Sequence, residues 1–257
     1  MKKNFGQNFL KNKYIIEEII KSASINKKSL IYEIGPGDGS LTAEIVKLKP
    51  EKLIAIEIDT TLKSKIDKFF NNTSYKIIYG DVMNFDETNL FSKDVTVIGN
   101  LPYNISTKLL LKWVHQYYKK AWYKEMILMF QKEVGERILA EYNTKKYGRL
   151  TLLCSAIFNV HKVIDVKKEN FFPIPKVDSV VLKFTPHKIL PLKKNELSKL
   201  EYLSKKLFEN RRKKLKKKFL NIFNSNDIKK YNIESYFNLR VENLDKEKFF
   251  FLSKILN

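Results

Sequence analysis

Glycine and carboxylate residues that could bind a small ligand follow three apolar runs of the sequence in turn. A glycine-rich segment, Gly35 to Thr42, comes directly after the run at 30–34, Glu57 lies at the end of the next run, and Asp81 follows the third. Glycines at a strand-to-helix turn let the backbone approach a ligand closely. A carboxylate at Glu57 can accept hydrogen bonds from both hydroxyls of a ribose, and one at Asp81 can accept from an adenine amino group. Open α/β sheets bind ligands at this edge, so the acids predict a nucleoside site.

The spacing of the glycines narrows the class of cofactor. A dinucleotide fingerprint needs its third glycine at position 40, where the sequence has Ser40, and the third glycine is Gly39 instead. The segment does not match a Walker phosphate loop either, because no Gly-Lys-Ser or Gly-Lys-Thr follows. The loop therefore fits a small zwitterion that carries a nucleoside. Each acid taken singly is also typical of a helix cap, and we expect Asp59 to be one.

The segment Asn100-Leu101-Pro102-Tyr103 follows the apolar run at 95–99 and carries two acceptors and an aromatic ring. Proline fixes its own φ at about −65° and favours an extended residue before it, which would hold the Leu101 carbonyl outward from a stiff turn. With the Asn100 carboxamide oxygen nearby and the Tyr103 ring beside it, the segment suits a planar ligand with an amino group, such as adenine. A plain proline turn with a packing tyrosine stays open as the alternative.

Composition indicates a globular protein in a reduced compartment. Of 257 residues, 44% are hydrophobic and 30% are charged, which excludes an intrinsically disordered chain. No apolar run is long enough to span a membrane, and the lysines at the start precede no apolar segment of a signal peptide. The single cysteine, Cys154, cannot form an internal disulfide and is predicted to be a small buried side chain. These features predict a cytoplasmic protein with no membrane-embedded segment, and no membrane is expected as its main partner.

The charge predicts a polyanionic partner, with nucleic acid ahead of an anionic membrane. The formal net charge is +21, and residues 186–257 hold 19 basic and 8 acidic side chains, net +11 over 72 positions, against net +10 over the preceding 185. The densest stretch, 205–219, keeps Leu207, Leu215 and Phe219 at helix-like spacing between basic clusters. It predicts a helix that contacts nucleic-acid phosphates, with a solvated basic helix as the alternative.

Apolar runs and helical segments alternate through the first 186 residues. Five runs rich in β-branched residues predict parallel strands with helices on both faces, at 30–34, 53–58, 76–80, 95–99 and 126–130. Two more runs, 159–166 and 178–184, predict an antiparallel pair at one edge of the sheet, whereas 149–158 favours a helix. Only helical patterns follow Pro186. The sequence therefore predicts an α/β domain at 1–186 and a small, basic, all-α domain at 187–257.

Six motifs follow one another along the chain, namely GQNFL (6–10), EIGPGDGSLT (33–42), AIEID (55–59), GDVMNF (80–85), NLPYNIS (100–106) and FFPIPKVDS (171–179). In this order they resemble the ribosomal RNA adenine N6-dimethyltransferase family, and most closely its small-subunit type. The related large-subunit enzymes look more like NIPY in the fifth motif. The resemblance implies a Rossmann-like methyltransferase sheet, with an N-terminal arm over the cofactor and a helical C-terminal domain.

The resemblance implies S-adenosyl-L-methionine as the cofactor and no metal. It assigns cofactor contacts to Asn8, Leu10, Gly35, Glu57, Asp81 and Asn100. The implied reaction is dimethylation of N6 of two adjacent adenosines in a loop near the 3′ end of small-subunit (16S) rRNA, by a monomer acting on an immature 30S particle. Three alternatives stay open: a large-subunit rRNA methyltransferase, a non-catalytic RNA-binding assembly factor, and a DNA adenine methyltransferase, which Leu101 in place of a second proline disfavours.

The resemblance and the chemistry of adenine together assign the catalytic residues. Because the N6 lone pair is delocalised into the ring, acceptors at Asn100 Oδ1 and the Leu101 carbonyl would hold the two hydrogens and let the nitrogen pyramidalise. Tyr103 is expected to stack on one face of the base. The resemblance assigns the other face to Phe171, with Phe172 as its rival if the register slips by one. No general base is needed before attack, since the methylated nitrogen becomes strongly acidic.

Overall fold

A seven-stranded sheet and a two-stranded sheet form the β-structure of the computed structural model, which describes residues 7–256. The strands are β1 (Phe9–Leu10), β2 (Leu30–Ile34), β3 (Lys52–Glu57), β4 (Tyr75–Tyr79), β5 (Val95–Asn100), β6 (Tyr123–Gln131), β7 (Phe158–Val166), β8 (Phe171–Phe172) and β9 (Ser179–Pro186). Gly6, the first residue of the first motif, and the N-terminal lysines Lys2 and Lys3 lie outside the described residues.

Eleven α-helices connect and cover the strands within the described part of the chain. They are α1 (Lys13–Ser22), α2 (Ser40–Lys47), α3 (Lys63–Ile66), α4 (Glu87–Leu90), α5 (Ser106–Lys119), α6 (Lys132–Ile138), α7 (Arg149–Ser155), α8 (Lys194–Phe208), α9 (Lys216–Ile222), α10 (Ser225–Lys230) and α11 (Lys246–Ile255). None of the helices in residues 7–256 is long and apolar enough to cross a bilayer.

The larger sheet has the order β4-β3-β2-β5-β6-β9-β7. The strands β2 to β6 run parallel to one another, and Ile34 at the end of β2 lies beside Ile56 on one side and Gly99 on the other. These strands come from near-continuous apolar runs because helices bury both faces of the sheet. The order of strand addition reverses at β2, so the carboxyl ends of β2, β3 and β5 meet at a topological switch point.

The strands β9 and β7 complete one edge of the sheet. β9 is antiparallel to β6, with Ser179 opposite Gln131, and β7 lies outside β9. The two strands predicted at 159–166 and 178–184 are therefore present and adjacent at one edge, within about two residues of the predicted bounds.

The two-stranded sheet was not predicted. Phe9 pairs with Phe172 and Leu10 with Phe171 in antiparallel register, and Asn12 Nδ2 donates to Asn170 Oδ1 at 2.7 Å beside them. Strands of two residues are too short to show an alternating pattern, so only the folded chain reveals the pairing. It fixes the N-terminal arm to the FFPIPKVDS motif.

The chain divides into two compact units. One comprises the residues up to Gly135 together with Asn159–Pro186, and the other comprises Glu136–Phe158 with His187–Asn257. The break at Pro186 coincides with the predicted boundary, but the predicted first domain also included 136–158, which the structure groups with the helical unit. The reason is packing: α7 is the predicted helix of 149–158, and it packs on α8 and α11 of the same unit.

Candidate active site

A cavity lies at the switch point of the sheet. Four segments line it: the N-terminal arm, the glycine-rich loop after β2, the end of β3, and the loop after β5. Of the nine predicted site residues, seven line this cavity, namely Asn8, Leu10, Gly35, Glu57, Asn100, Leu101 and Tyr103. The other two, Asp81 and Phe171, are not among its lining residues.

The glycine-rich loop presents its backbone to the cavity. Gly35 has a φ of 63°, a left-handed conformation that disfavours other residues, and a Cβ built there would meet no atom within 4 Å. The loop therefore leaves open space above Gly35 for a ligand. Gly37, with a φ of 62°, lies under the Phe9 ring, which a Cβ would approach to 3.0 Å.

Glu57 ends β3 beneath this loop and is only 4% exposed. Its two oxygens accept backbone hydrogen bonds, one from Gly37 N at 3.1 Å and one from Asp59 N at 2.9 Å. Burial raises the pKa of the Glu57 carboxyl above its usual range, while the two backbone donors oppose that rise. The carboxylate thus positions the loop and places an acceptor at the cavity wall.

Asp59 and Asp81 both cap short helical turns. Asp59 Oδ1 accepts from Thr61 N at 3.0 Å, which confirms the expected cap. Asp81 Oδ1 accepts from Met83 N at 2.8 Å, so the cap that was its alternative role is present. Its contact with an adenine amino group stays a prediction.

Asn100, the last residue of β5, is held in one orientation by the N-terminal arm. Its Nδ2 donates to the backbone carbonyl of Asn8 at 2.8 Å. One N–H of the amide is thereby bonded, and no donor to Oδ1 lies among the described residues. The carboxamide oxygen is left available as an acceptor in the cavity.

Tyr103 is held in place by a residue of β9. Its hydroxyl forms a 2.7 Å hydrogen bond with Ser179 Oγ at the start of β9, and Ser179 is fully buried. Burial raises the pKa of the Tyr103 phenol, with the Ser179 hydrogen bond acting in the other direction. The ring therefore remains a neutral surface. Leu101, between Asn100 and Tyr103, is 1% exposed and packs the loop onto the protein.

The structure separates the two neighbouring phenylalanines of the FFPIPKVDS motif. Phe171 is 2% exposed and belongs to a core cluster with Leu10, Met129 and Val181. Phe172 is 59% exposed. Stacking of Phe171 on a substrate base, which the resemblance implied, stays a prediction and would require that ring to leave the core cluster.

Three residues that sequence reasoning missed belong to the site. Phe9 covers Gly37, Ile58 lines the cavity while 42% exposed, and Ser179 holds Tyr103. An apolar residue immediately after the strand-end acid Glu57 was a usable signal for Ile58. No local pattern indicates the other two, because their partners lie in distant segments.

The basic cluster of the helical unit contains two kinds of residue. Arg211 pairs with Glu242 at 3.0 Å and donates to the carbonyls of Thr144 and Lys145, and Lys218 donates to the carbonyl of Leu207. These two cations are bonded within the helical unit. The other cations of 205–219 are exposed, namely Lys205, Lys206, Arg212, Lys213, Lys216 and Lys217, together with Lys214, which donates to Asn238 Oδ1 at 3.2 Å.

The predicted basic helix at 205–219 is interrupted. α8 ends at Phe208, Asn210 takes a φ of 52°, and α9 begins only at Lys216. The apolar side chains at helix-like spacing are nevertheless all fully buried, namely Leu207, Leu215 and Phe219. The apolar side of this stretch was therefore predicted correctly, whereas the turn that separates α8 from α9 was not predicted.

Glu33, the first residue of the glycine motif, predicts a pH effect on stability. It is buried, its Oε2 accepts from Thr42 Oγ1 at 2.8 Å, and its Oε1 has no hydrogen-bond partner. Burial raises the pKa of this carboxyl from 4.5 to about 8, with the nearby charge of Glu57 adding to the rise and the Thr42 bonds opposing it. Between these values the folded state binds the extra proton, so the free energy of unfolding falls as pH rises.

We therefore expect Glu33→Gln to raise the melting temperature relative to wild type near pH 8.5 and to change it little near pH 4.5. Thermal unfolding across this range measures the effect, and Glu51→Gln, at an exposed position, serves as the control. A Glu33→Gln difference that does not grow with pH would contradict the assignment.

Comparison with known proteins places these features in a family context. The family model described as ribosomal RNA adenine dimethylase matches residues 1–257. Ribosomal RNA small subunit methyltransferase A of Pelagibacter ubique (strain HTCC1062) is 41% identical over 255 residues, covering 98% of this chain and 95% of the relative. A dimethyladenosine transferase from Plasmodium falciparum has a similar crystal structure, with a TM-score of 0.79, 30% identity and 95% of each chain covered. The 23S rRNA methyltransferase ErmE, with a TM-score of 0.74 over 97% of this chain and 99% of its own, shares the fold at 22% identity.

Proposed function

The chain belongs to the ribosomal RNA adenine dimethylase family, and from that premise we propose how its site works. It is an S-adenosyl-L-methionine-dependent methyltransferase that dimethylates N6 of adenosine in small-subunit ribosomal RNA. The proposal for the site rests on the Asn100 carboxamide. Its nitrogen donates to the Asn8 carbonyl, and its oxygen remains an acceptor in the cavity.

The residues of the cavity fit the cofactor. The open space over Gly35 admits a ligand against the backbone, Glu57 offers a carboxylate for ribose hydroxyls, and Ile58 offers a partly exposed apolar surface. Asn8 and Leu10 would cover the group from the arm. When bound, S-adenosyl-L-methionine supplies an electrophilic methyl group on a positively charged sulfur.

The residues of the loop after β5 prepare the adenine. Asn100 Oδ1 and the Leu101 carbonyl accept the two N6 hydrogens, which lets the nitrogen pyramidalise and direct its lone pair out of the ring plane. Tyr103 stacks on the base, with its ring held by Ser179. A base must leave its stack to reach such a cavity, which favours an unpaired adenine.

We further propose two adjacent adenosines in a loop near the 3′ end of the 16S rRNA as the target. The immature 30S particle is the proposed substrate, and the enzyme acts on it in the cytoplasm as a monomer. The similarity to the 23S enzyme ErmE concerns the fold only, so no observation favours the large-subunit reaction.

Exhaustive reaction on immature small subunits should yield N6,N6-dimethyladenosine. After the first transfer one N–H remains for a single acceptor, and Leu101 lacks the ring that a second proline would place beside the amine. Nucleoside mass spectrometry identifies the product, with large subunits and duplex DNA as matched controls. Monomethyladenosine as the only product, or methylation confined to a control, would overturn the proposal.

Solvent-facing cations of the helical unit should contact RNA phosphates. Changing four exposed cations around the turn between α8 and α9, namely Arg212, Lys213, Lys216 and Lys217, to Gln should weaken RNA binding. If all four contact single-stranded phosphates, the slope of log K against log salt should fall in magnitude by up to about 3, at about 0.7 per contact. Filter binding at several salt concentrations measures the slope, and cofactor affinity should not change.

The matched control for that experiment is Arg211→Gln. Because Arg211 is bonded to Glu242 and to the carbonyls of residues 144 and 145, its loss should lower the melting temperature while leaving most of the salt slope intact. If the salt slope of the fourfold variant equalled that of the wild type, these four residues would not contact RNA phosphates and would form a solvated surface.

A further inference from the structure

A short loop between β8 and β9 exposes apolar side chains to solvent. Within 172–177, Phe172 is 59% exposed, Ile174 is 61% exposed and Val177 is 42% exposed. We propose that this loop, termed the apolar loop, stacks against an RNA base that flanks the target adenine. The inference deepens the proposed function and rests on it.

Both ends of the apolar loop are anchored at the candidate active site. At its start, the pairing of Phe172 with Phe9 ties it to the arm that covers the glycine-rich loop. At its end, Ser179 is buried and bonded to the Tyr103 hydroxyl. The loop is therefore fixed to the ring that receives the target base and to the cover of the cofactor cavity.

The apolar loop is also stiffened along its length. Pro173 and Pro175 fix two of its φ angles, and the Asp178 carboxylate accepts from Lys168 N at 3.0 Å and from Lys167 Nζ at 3.4 Å. A partner that binds a rigid surface loses less conformational freedom than one that must order a mobile loop. The exposed apolar side chains of this rigid loop can therefore bind a partner at a low cost in conformational entropy.

The charge around the loop favours RNA over an apolar protein surface. Lys167, Lys168 and Lys176 are exposed around it, against Glu169 as the exposed acid and Asp178, which is engaged with Lys167. Aromatic and apolar side chains next to cations match a nucleic acid, whose bases stack on rings while lysines reach the phosphates. Apolar side chains also insert between base steps that have been opened.

The base that the loop contacts is a neighbour of the target and not the target itself. Tyr103 lines the cavity, but neither Phe172 nor Ile174 does. When the target adenine leaves its stack, the adjacent base loses one stacking partner. The Phe172 ring replaces that partner.

The first test compares Phe172→Ala with Ile189→Ala, a control at an 88% exposed position in the helical unit. On a small-subunit RNA fragment that the wild type methylates, Phe172→Ala should raise the Kd on the order of tenfold, whereas Ile189→Ala should leave it unchanged. S-adenosyl-L-methionine affinity should be unaltered in both, which shows that the arm is intact. Wild-type methylation of the same fragment tests the proposed function separately.

An RNA with an abasic site at the target adenine then identifies the base. If Phe172 stacks on a neighbour, Phe172→Ala should weaken binding of the abasic RNA by the same factor as that of the intact RNA. Loss of the defect on abasic RNA would mean that Phe172 stacks on the target, which overturns the inference. If Phe172→Ala weakened binding of whole immature particles but not of RNA, the loop would contact a ribosomal protein. That result would also overturn the inference.

Fluorescence gives a readout of stacking itself. The chain has two tryptophans, Trp113 and Trp122, and both are fully buried, so F172W adds an exposed reporter. Stacking on a base should quench the added emission on RNA binding, and the same RNA should leave the emission added by I189W unchanged. F172W emission that does not change at saturating RNA, with wild-type methylation intact, would refute the apolar loop as a stacking surface.

Discussion

Replacing Asn100 with alanine should lower the single-turnover rate of methyl transfer by on the order of 10²-fold or more, while RNA still binds. The variant removes the carboxamide oxygen that accepts from N6, a bond that matters most as the nitrogen pyramidalises. It also removes the amide nitrogen that donates to the Asn8 carbonyl at 2.8 Å. Rapid-quench assays with labelled cofactor measure the rate, and filter binding measures RNA affinity.

Asn100→Asp separates the two halves of the amide. Aspartate keeps the acceptors but cannot donate when ionised, so its carboxylate would face the Asn8 carbonyl without a hydrogen between them. We expect this variant to be slowed less than Asn100→Ala, because it keeps an acceptor for N6, and to lose part of its cofactor affinity, because the arm loses its anchor. Asn104→Ala, an exposed amide in the same loop, is the matched control and should retain the wild-type rate. A wild-type rate in Asn100→Ala would remove Asn100 from the active site.

Glu57→Ala should weaken binding of S-adenosyl-L-methionine on the order of tenfold to a hundredfold. A hydrogen bond to a charged group contributes about 1.5–3 kcal/mol, and here the carboxylate has two functions. It is placed to accept from ribose, and it accepts from Gly37 N and so holds the glycine-rich loop. Titration calorimetry gives the Kd, and the cofactor-dependent rise in melting temperature should shrink accordingly.

Asp81→Ala is the informative comparison for Glu57→Ala. If Asp81 acts only as the cap bonded to Met83 N, its loss should lower the melting temperature without a matching loss of cofactor affinity. A loss of affinity similar to that of Glu57→Ala would instead support its predicted contact with adenine. Stabilisation of the wild type by NAD and not by S-adenosyl-L-methionine would refute the cofactor site.

Local sequence was sufficient for the strands of the seven-stranded sheet and for most of the residues that line the candidate site. Apolar runs of five or six residues that are rich in β-branched side chains favour strands covered on both faces, and all seven predicted strands are present. The glycine-rich loop directly follows β2, and Glu57 and Asn100 end β3 and β5, so their meeting at one edge follows from parallel connectivity. The motif resemblance added Asn8 and Leu10, which physical reasoning would have placed in an ordinary helix-start turn.

Long-range contacts decided the rest. Phe171 and Phe172 are the same residue type, and only pairing of β8 with β1 determines which ring enters the core and which faces solvent, because adjacent strand residues point to opposite faces. Arg211 likewise differs from Arg212 only through Glu242 and the carbonyls at 144 and 145. Sequence pattern determines which side chains can be buried or bonded. Tertiary structure determines which of them are, because the burial and the hydrogen-bond partners come from segments far away in the chain.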